Sequence, residues 1–361
     1  MTRSAHHIFL SLCLALAPGW TLAQANSAER LQQEWSQIRN YPVAVIDKVK
    51  YQEFLLLNKI DKHSPEPQRA LALYSYLKKN HSLELPPQEI YSILSEAEDP
   101  HSAIAKALYH DPITMTQVKA CIVVPVAPSA DNTSATLRFL GVETLQSKIY
   151  EGVDLAPLVN LIPRDQLELF SLYHEFSHCL DTQFYPRSLV DVESPHAKHQ
   201  AEVFAETLAL LLLAKNEGLH SLGPARAQLR ALYYRYYGQA IAQSEPQFFA
   251  RPLKYEGTIY FLSHPLLKAQ ELIDNKLLEI KDLSLDELIA LAKQITQDHG
   301  FSSFGFNALH MTLEQSPEQA LTHYQKLASK NPKMFQPALN ELERSLDYLN
   351  KHLPQPTGSE K

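Results

Sequence analysis

His174, Glu175 and His178 stand in the order His-Glu-x-x-His within the segment Tyr173-His174-Glu175-Phe176-Ser177-His178-Cys179. On an α-helix, positions i and i+4 share a face, so the two imidazoles can converge on one zinc ion while the carboxylate between them reaches a water on that ion. Two neutral nitrogen ligands, a free coordination position and a base are what hydrolysis by an activated water requires.

A third ligand must come from elsewhere. The segment Ala201-Glu202-Val203-Phe204-Ala205-Glu206 places Glu202 24 residues after His178. Glu202 and Glu206 share one helix face, while Phe204, Leu208, Leu211 and Leu212 form another, apolar face, so this helix can be buried and still present carboxylates to a common site. His199 recurs at the same helical spacing, so the residues alone leave His199, Glu202 and Glu206 open as the third ligand.

The pair HExxH and ExxAE resembles the gluzincin superfamily of zinc peptidases, over roughly residues 164–214. The resemblance implies a zincin-like catalytic core with Zn2+ held by His174, His178 and Glu202. It also implies that Glu175 is the general base and that Glu206 is a supporting carboxylate orienting a ligand histidine. Glu175 would take the proton of a zinc-bound water as it attacks a scissile carbonyl and then pass it to the leaving amine. Cys179 to Phe184 supplies neither the glycine nor the last histidine of a metzincin, and the inverted HxxEH order is absent. The aminopeptidase signature GxMEN is also missing, which favours an endopeptidase or a carboxypeptidase. An oxyanion donor is expected downstream, from Tyr255, Tyr260 or His264, against the plainer alternative that these rings simply pack. Asp181 reads as a helix-end cap, His196 as a loop residue, and the tyrosines at 233–237 as core with a wet edge.

The elements that must position these residues read as a predominantly helical α+β chain with a small sheet beside the HExxH helix. Residues 26–118 form a helical N-terminal region, with helices expected over 28–40, 43–62, 67–80, 87–97 and 101–109. Residues 119–216 form the metal-binding core, with strands expected over 121–126, 135–140 and 153–162. Pro163 opens the helix that carries the motif, with Leu169, Leu172, Tyr173, Phe176 and Leu180 on its apolar face. Residues 217–353 read as a helical C-terminal region and 354–361 as a disordered tail.

Residues 1–25 read as a signal peptide: Arg3, an apolar run over 8–17, and Ala23-Gln24-Ala25 as the cleavage site. The run falls short of the roughly 20 apolar residues a membrane span needs. A periplasmic or secreted location follows, with no span left after cleavage. The formal net charge is −7 and no Lys/Arg-rich run occurs, which disfavours nucleic acid and anionic membrane as partners. The expected partner is a peptide or protein substrate. Cys121 and Cys179 survive cleavage, and either a disulfide or two buried thiols is consistent with their number. The main alternative is an exported metal-binding or assembly factor on the same fold without proteolytic activity, and an intact Glu175 weighs against it. A helical interaction protein carrying the motif by accident would bind no stoichiometric zinc.

Overall fold

The computed structural model describes residues 22–39, 41–110, 117–140, 159–184, 194–239, 241 and 254–353. Three short strands, β1 (Val43–Val45), β2 (Ile104–Tyr109) and β3 (Val118–Val124), form one sheet in the order β1-β3-β2, with β1 parallel and β2 antiparallel to β3. The helices in its first half are α1 (Leu22–Arg39), α2 (Lys48–Leu57), α3 (Glu66–His81), α4 (Pro87–Glu98), α5 (Asn132–Phe139) and α6 (Arg164–Leu180). There follow α7 (Pro195–Asn216), α8 (Gly223–Tyr233) running into a π-helical turn (Tyr234–Gly238), α9 (Glu256–Ile259), α10 (Ser263–Asp282), α11 (Leu285–His299), α12 (Ser303–Glu314), α13 (Pro317–Lys330) and α14 (Pro332–His352). Among the described residues no helix is long and apolar enough to cross a membrane.

Successive strand residues point to opposite faces of a sheet, and here that alternation divides the core in two. Ala44, Leu108, Ala120, Ile122 and Val124 pack with α2, α3 and α4 on one face. Val43, Val45, Ala105, Cys121 and Val123 face the main core, where α6 lies across β2 and β3. The sheet is therefore beside the HExxH helix, as expected. Trp35 of α1 meets Phe176 of α6 edge-on with ring centroids 4.8 Å apart.

α6 starts after Pro163, whose fixed φ suits a helix entry. α7 is capped by Ser194, whose Oγ accepts the Ala197 N–H at 3.3 Å, and has Pro195 in its first turn. From Leu208 to Ala214 every side chain of α7 is buried. It packs against α6, α10 and α11, so one continuous core runs from Ala28 to Leu353 across positions 118 and 216.

Three expectations are corrected. Residues 43–45 form a strand, and the helix begins only at Lys48, because Asp47 caps it by accepting from Val49 N at 2.9 Å and Lys50 N at 3.2 Å. Residues 104–109 form β2 rather than a helix: pairing with β3 overrides the helical preference of Ala, Lys and Leu. Residues 135–139 belong to α5, which Leu140 ends and which Asp131 caps through the Ser134 N–H at 2.7 Å. Of the strand expected over 153–162, only 159–162 is described: residue 159 is helical and 160–162 are turn and bend. The expected cleavage point after Ala25 falls within α1; residues 1–21 and the tail from 354 lie outside the described residues.

Cys121 and Cys179 are joined, S–S 2.02 Å, across a sequence separation of 58 residues. The bond ties β3 to α6 one residue beyond His178. Closing a loop of that length removes about 4 kcal/mol of unfolded-state freedom by the chain-entropy relation. The double variant Cys121→Ser with Cys179→Ser is expected to lose about that much stability in urea unfolding under non-reducing conditions. An unchanged midpoint would contradict it.

Candidate metal centre

His174 and His178 project from one face of α6, and Glu202 from the first half of α7. His174 Nε2 lies 3.2 Å from His178 Nε2 and 3.3 Å from a Glu202 oxygen, and His178 Nε2 is 3.6 Å from the other Glu202 oxygen. One ligand atom from each residue falls within 4.8 Å of the others, so the three form a cluster that can hold a metal ion. All three are nearly enclosed. Burial drives the His178 imidazole down to about 4, which leaves it neutral and able to ligate a metal. Burial opposes the charge of Glu202, but His178 and His174 hold its carboxyl down to about 2. Burial also opposes the charge of His174, yet Glu202 raises its pKa.

Glu175 Oε1 sits 4.0 Å from His174 Nε2. Burial pushes the carboxyl of Glu175 up to about 7, partly offset by His174. A buried carboxylate whose pKa lies near neutrality is suited to taking and returning a proton.

Of the three third-ligand candidates, Glu202 is the one that joins His174 and His178 in this cluster. His199 is fully buried and spends both ring nitrogens on backbone: Nδ1 faces the Ile259 carbonyl at 2.9 Å, and Nε2 accepts the Phe301 N–H at 3.3 Å. Glu206 is also fully buried, but it does not orient a histidine. Its Oε1 accepts from Arg226 Nη2 at 2.5 Å and from Arg230 Nε at 2.6 Å. Its charge still reaches the site, raising the pKa of both His174 and His178. Asp181 caps the chain beyond α6 by accepting from Gln183 N and Phe184 N, as its place at the helix end implied. His196, expected in a loop, lies instead in the first turn of α7, because Ser194 caps that helix just before it, and its ring meets the Phe301 carbonyl.

Glu206→Ala would strand two buried guanidiniums. Breaking a buried ion pair by removing one partner typically costs about 3–5 kcal/mol. We expect a loss of that size in urea unfolding of the metal-free protein, with Glu206→Gln less affected. A metal-free Glu206→Ala protein as stable as the parent would show that the arginines do not depend on it.

α6 and α7 are also tied where Tyr173, next to His174, meets Glu217 at the C-terminal end of α7. Tyr173 donates to Glu217 at 2.6 Å, and Arg30 of α1 donates to Glu217 at 2.5 Å and to the Tyr173 hydroxyl at 2.8 Å. Beyond the metal cluster, His174 and Glu175 open onto a cleft of about 240 Å³ lined also by Arg230, Tyr233, Glu256 and Tyr260. A π-helical turn and a close glycine contact shape this wall. A Cβ on Gly257 would lie 2.4 Å from the Gly238 Cα, so only glycine allows α9 to seat against the turn. That contact brings Tyr260 edge-on to Tyr233 at 5.7 Å and Tyr237 within 3.1 Å of Glu256.

Of the three donor candidates, Tyr260 alone lines the cleft. The field of Glu202, then burial, raises its pKa well above the usual phenol, so it remains a proton donor. Tyr255 stacks on His310 at 4.0 Å, and burial pushes His264 down to about 4 among Arg344 and His299. Sequence reasoning missed Arg226, Arg230 and Glu256 and assigned Tyr233 to packing. Arg226 and Arg230 are themselves i and i+4, the spacing that drew attention to Glu202 and Glu206. A larger cleft of about 480 Å³ lies between α1, α2 and α3, beside Gln32, Asp47 and His81, and contains none of the metal-cluster residues.

Comparison with protein-family models, with curated proteins and with solved structures finds no match to this chain.

Proposed function

We propose that the chain is an exported zinc-dependent peptidase, with Zn2+ held by His174, His178 and Glu202 and with Glu175 as general base. The observation that carries the reading is the convergence of the three candidate ligand atoms, with Glu175 beside His174 at the wall of the cleft. The two imidazole nitrogens lie 3.2 Å apart and stand 3.3 and 3.6 Å from the two different oxygens of Glu202, and a set of two imidazoles and one carboxylate suits zinc. Bound there, zinc would supply Lewis-acid polarisation of a carbonyl and acidify a water. Glu175 takes the proton from the attacking water and returns it to the leaving amine. Tyr260 donates a hydrogen bond to the developing oxyanion. The resemblance to gluzincins supports the same roles, and the Cys121–Cys179 bond suits the oxidising compartment that the N-terminal segment implies.

Protein purified without chelator is expected to carry stoichiometric zinc by elemental analysis and to cleave peptides. Chelation should abolish cleavage, and zinc should restore it while raising the thermal midpoint of the stripped protein. A stripped protein that neither takes up zinc nor gains thermal stability from it would end the reading.

A further inference from the structure

The cleft between α1, α2 and α3 holds about 480 Å³, against about 240 Å³ beside the metal cluster, and falls within the range of small-ligand sites. His81, at the C-terminal end of α3, lines it. Both ring nitrogens of His81 are shielded from solvent, and neither has a hydrogen-bond partner among the described residues. Buried polar atoms are nearly always paired, so an unpaired imidazole on the wall of a cleft points to a ligand. Burial, then the charge of Lys50, lowers its pKa, and the ring is neutral at neutral pH. A neutral imidazole has one N–H and one bare nitrogen, so its partner must both accept and donate a hydrogen bond.

Three carboxylates line the same cleft, Glu29, Asp47 and Glu53, against one cation, Lys50. Lys50 Nζ stands 3.8 Å from Glu29 and 3.9 Å from Asp47, and the other oxygen of Asp47 caps α2. Glu53 has neither an ion pair nor a hydrogen bond among the described residues. Phe54 and Tyr76, with ring centroids 5.6 Å apart, line the cleft beside Leu57, and the Tyr76 ring lies 6.0 Å from that of His81. An alkyl stem packs on such a surface while its charged head reaches a carboxylate at the mouth. An exposed glutamate by itself is commonplace. Here it shares a cleft with aromatic rings and a shielded, unpaired imidazole.

We propose that this cleft binds a peptide segment bearing a lysine or arginine, with the cation at Glu53 and a backbone amide at His81. The amide supplies an acceptor carbonyl and a donor N–H, as the neutral ring requires, whereas a free polyamine supplies donors only. The inference does not rest on the peptidase reading, because no residue of the metal cluster takes part in it.

Four probes are titrated into the Glu175→Gln protein, a background chosen to suppress any hydrolysis. They are an acetylated, amidated tetrapeptide with one lysine, the same peptide with norleucine or with glutamate in its place, and spermidine. Calorimetry gives the affinity, and the ring C–H signal of His81 in NMR, assigned by its loss in His81→Phe, gives the place. The lysine peptide is expected to bind about 3 to 10-fold tighter than the norleucine peptide, to exceed the glutamate peptide by more, and to shift the His81 signal. Glu53→Gln, a change at an exposed position, should erase the preference for lysine, and His81→Phe should weaken the lysine and norleucine peptides alike by about 3 to 10-fold. Absence of binding, equal affinity for the three peptides, or a lysine preference that survives in Glu53→Gln would overturn the proposal. Spermidine binding as tightly as the lysine peptide would overturn the peptide in favour of a polyamine. Binding that leaves the His81 signal unmoved would place the peptide elsewhere and overturn the site.

Discussion

Replacing Glu175 by Gln is expected to preserve zinc content and fold while lowering peptide hydrolysis by roughly 10²–10⁴-fold, the usual contribution of a positioned acid–base group. The carboxyl is not among the three converging ligand atoms, and an amide of the same shape fills its place with little change in packing. Turnover should fall far more than substrate affinity, because the proton is moved in the transition state. The pH profile gives a second readout. Only the ionised form is a base, so activity should rise as pH climbs through the Glu175 pKa. Burial holds that pKa near 7, and a bound dication would draw it lower, which puts the acid limb below 7. In Glu175→Gln that limb should vanish. Near-normal turnover by the zinc-loaded variant would remove Glu175 from the mechanism.

Glu202→Ala is expected to weaken zinc binding by more than the roughly 10 to 100-fold typical of residues that only support a ligand. It removes the only anionic ligand, and it leaves two imidazole nitrogens 3.2 Å apart with no carboxylate beside them. The pKa of His174 should drop as well, since Glu202 is what raises it against burial. Competition with a chromogenic chelator measures the affinity, and histidine titration by NMR measures the pKa of the metal-free protein. The assignment would fall if Glu202→Ala kept native affinity while His199→Ala lost it. Such a result is hard to reconcile with a His199 ring whose two nitrogens already meet Ile259 and Phe301.

The metal cluster was legible because helical periodicity is local. Residues four apart on α6 and α7 declare a shared face without reference to any other part of the chain. The choice of Glu202 over His199 was not contained in that spacing and came from resemblance; the backbone partners of His199, 60 and 102 residues away in sequence, make it structural. The sheet was only partly legible. β3, rich in β-branched residues, reads as a strand by itself, whereas Ile104–Tyr109 contains good helix formers and becomes a strand only against β3. Asp47 and Asp131 were overlooked as caps, although each precedes its helix in a recognisable way. Arg226 and Arg230 matter because α8 brings them to Glu206, and that meeting is a fact of tertiary packing.

The Cys121–Cys179 bond makes the chain durable against proteolysis. A backbone cut anywhere between those two residues leaves both pieces on one covalent molecule. After a cut before His174, the fragment bearing His174 and His178 stays leashed to β3, so a nicked protein can keep its metal cluster together and run as a single band until a reductant separates its halves.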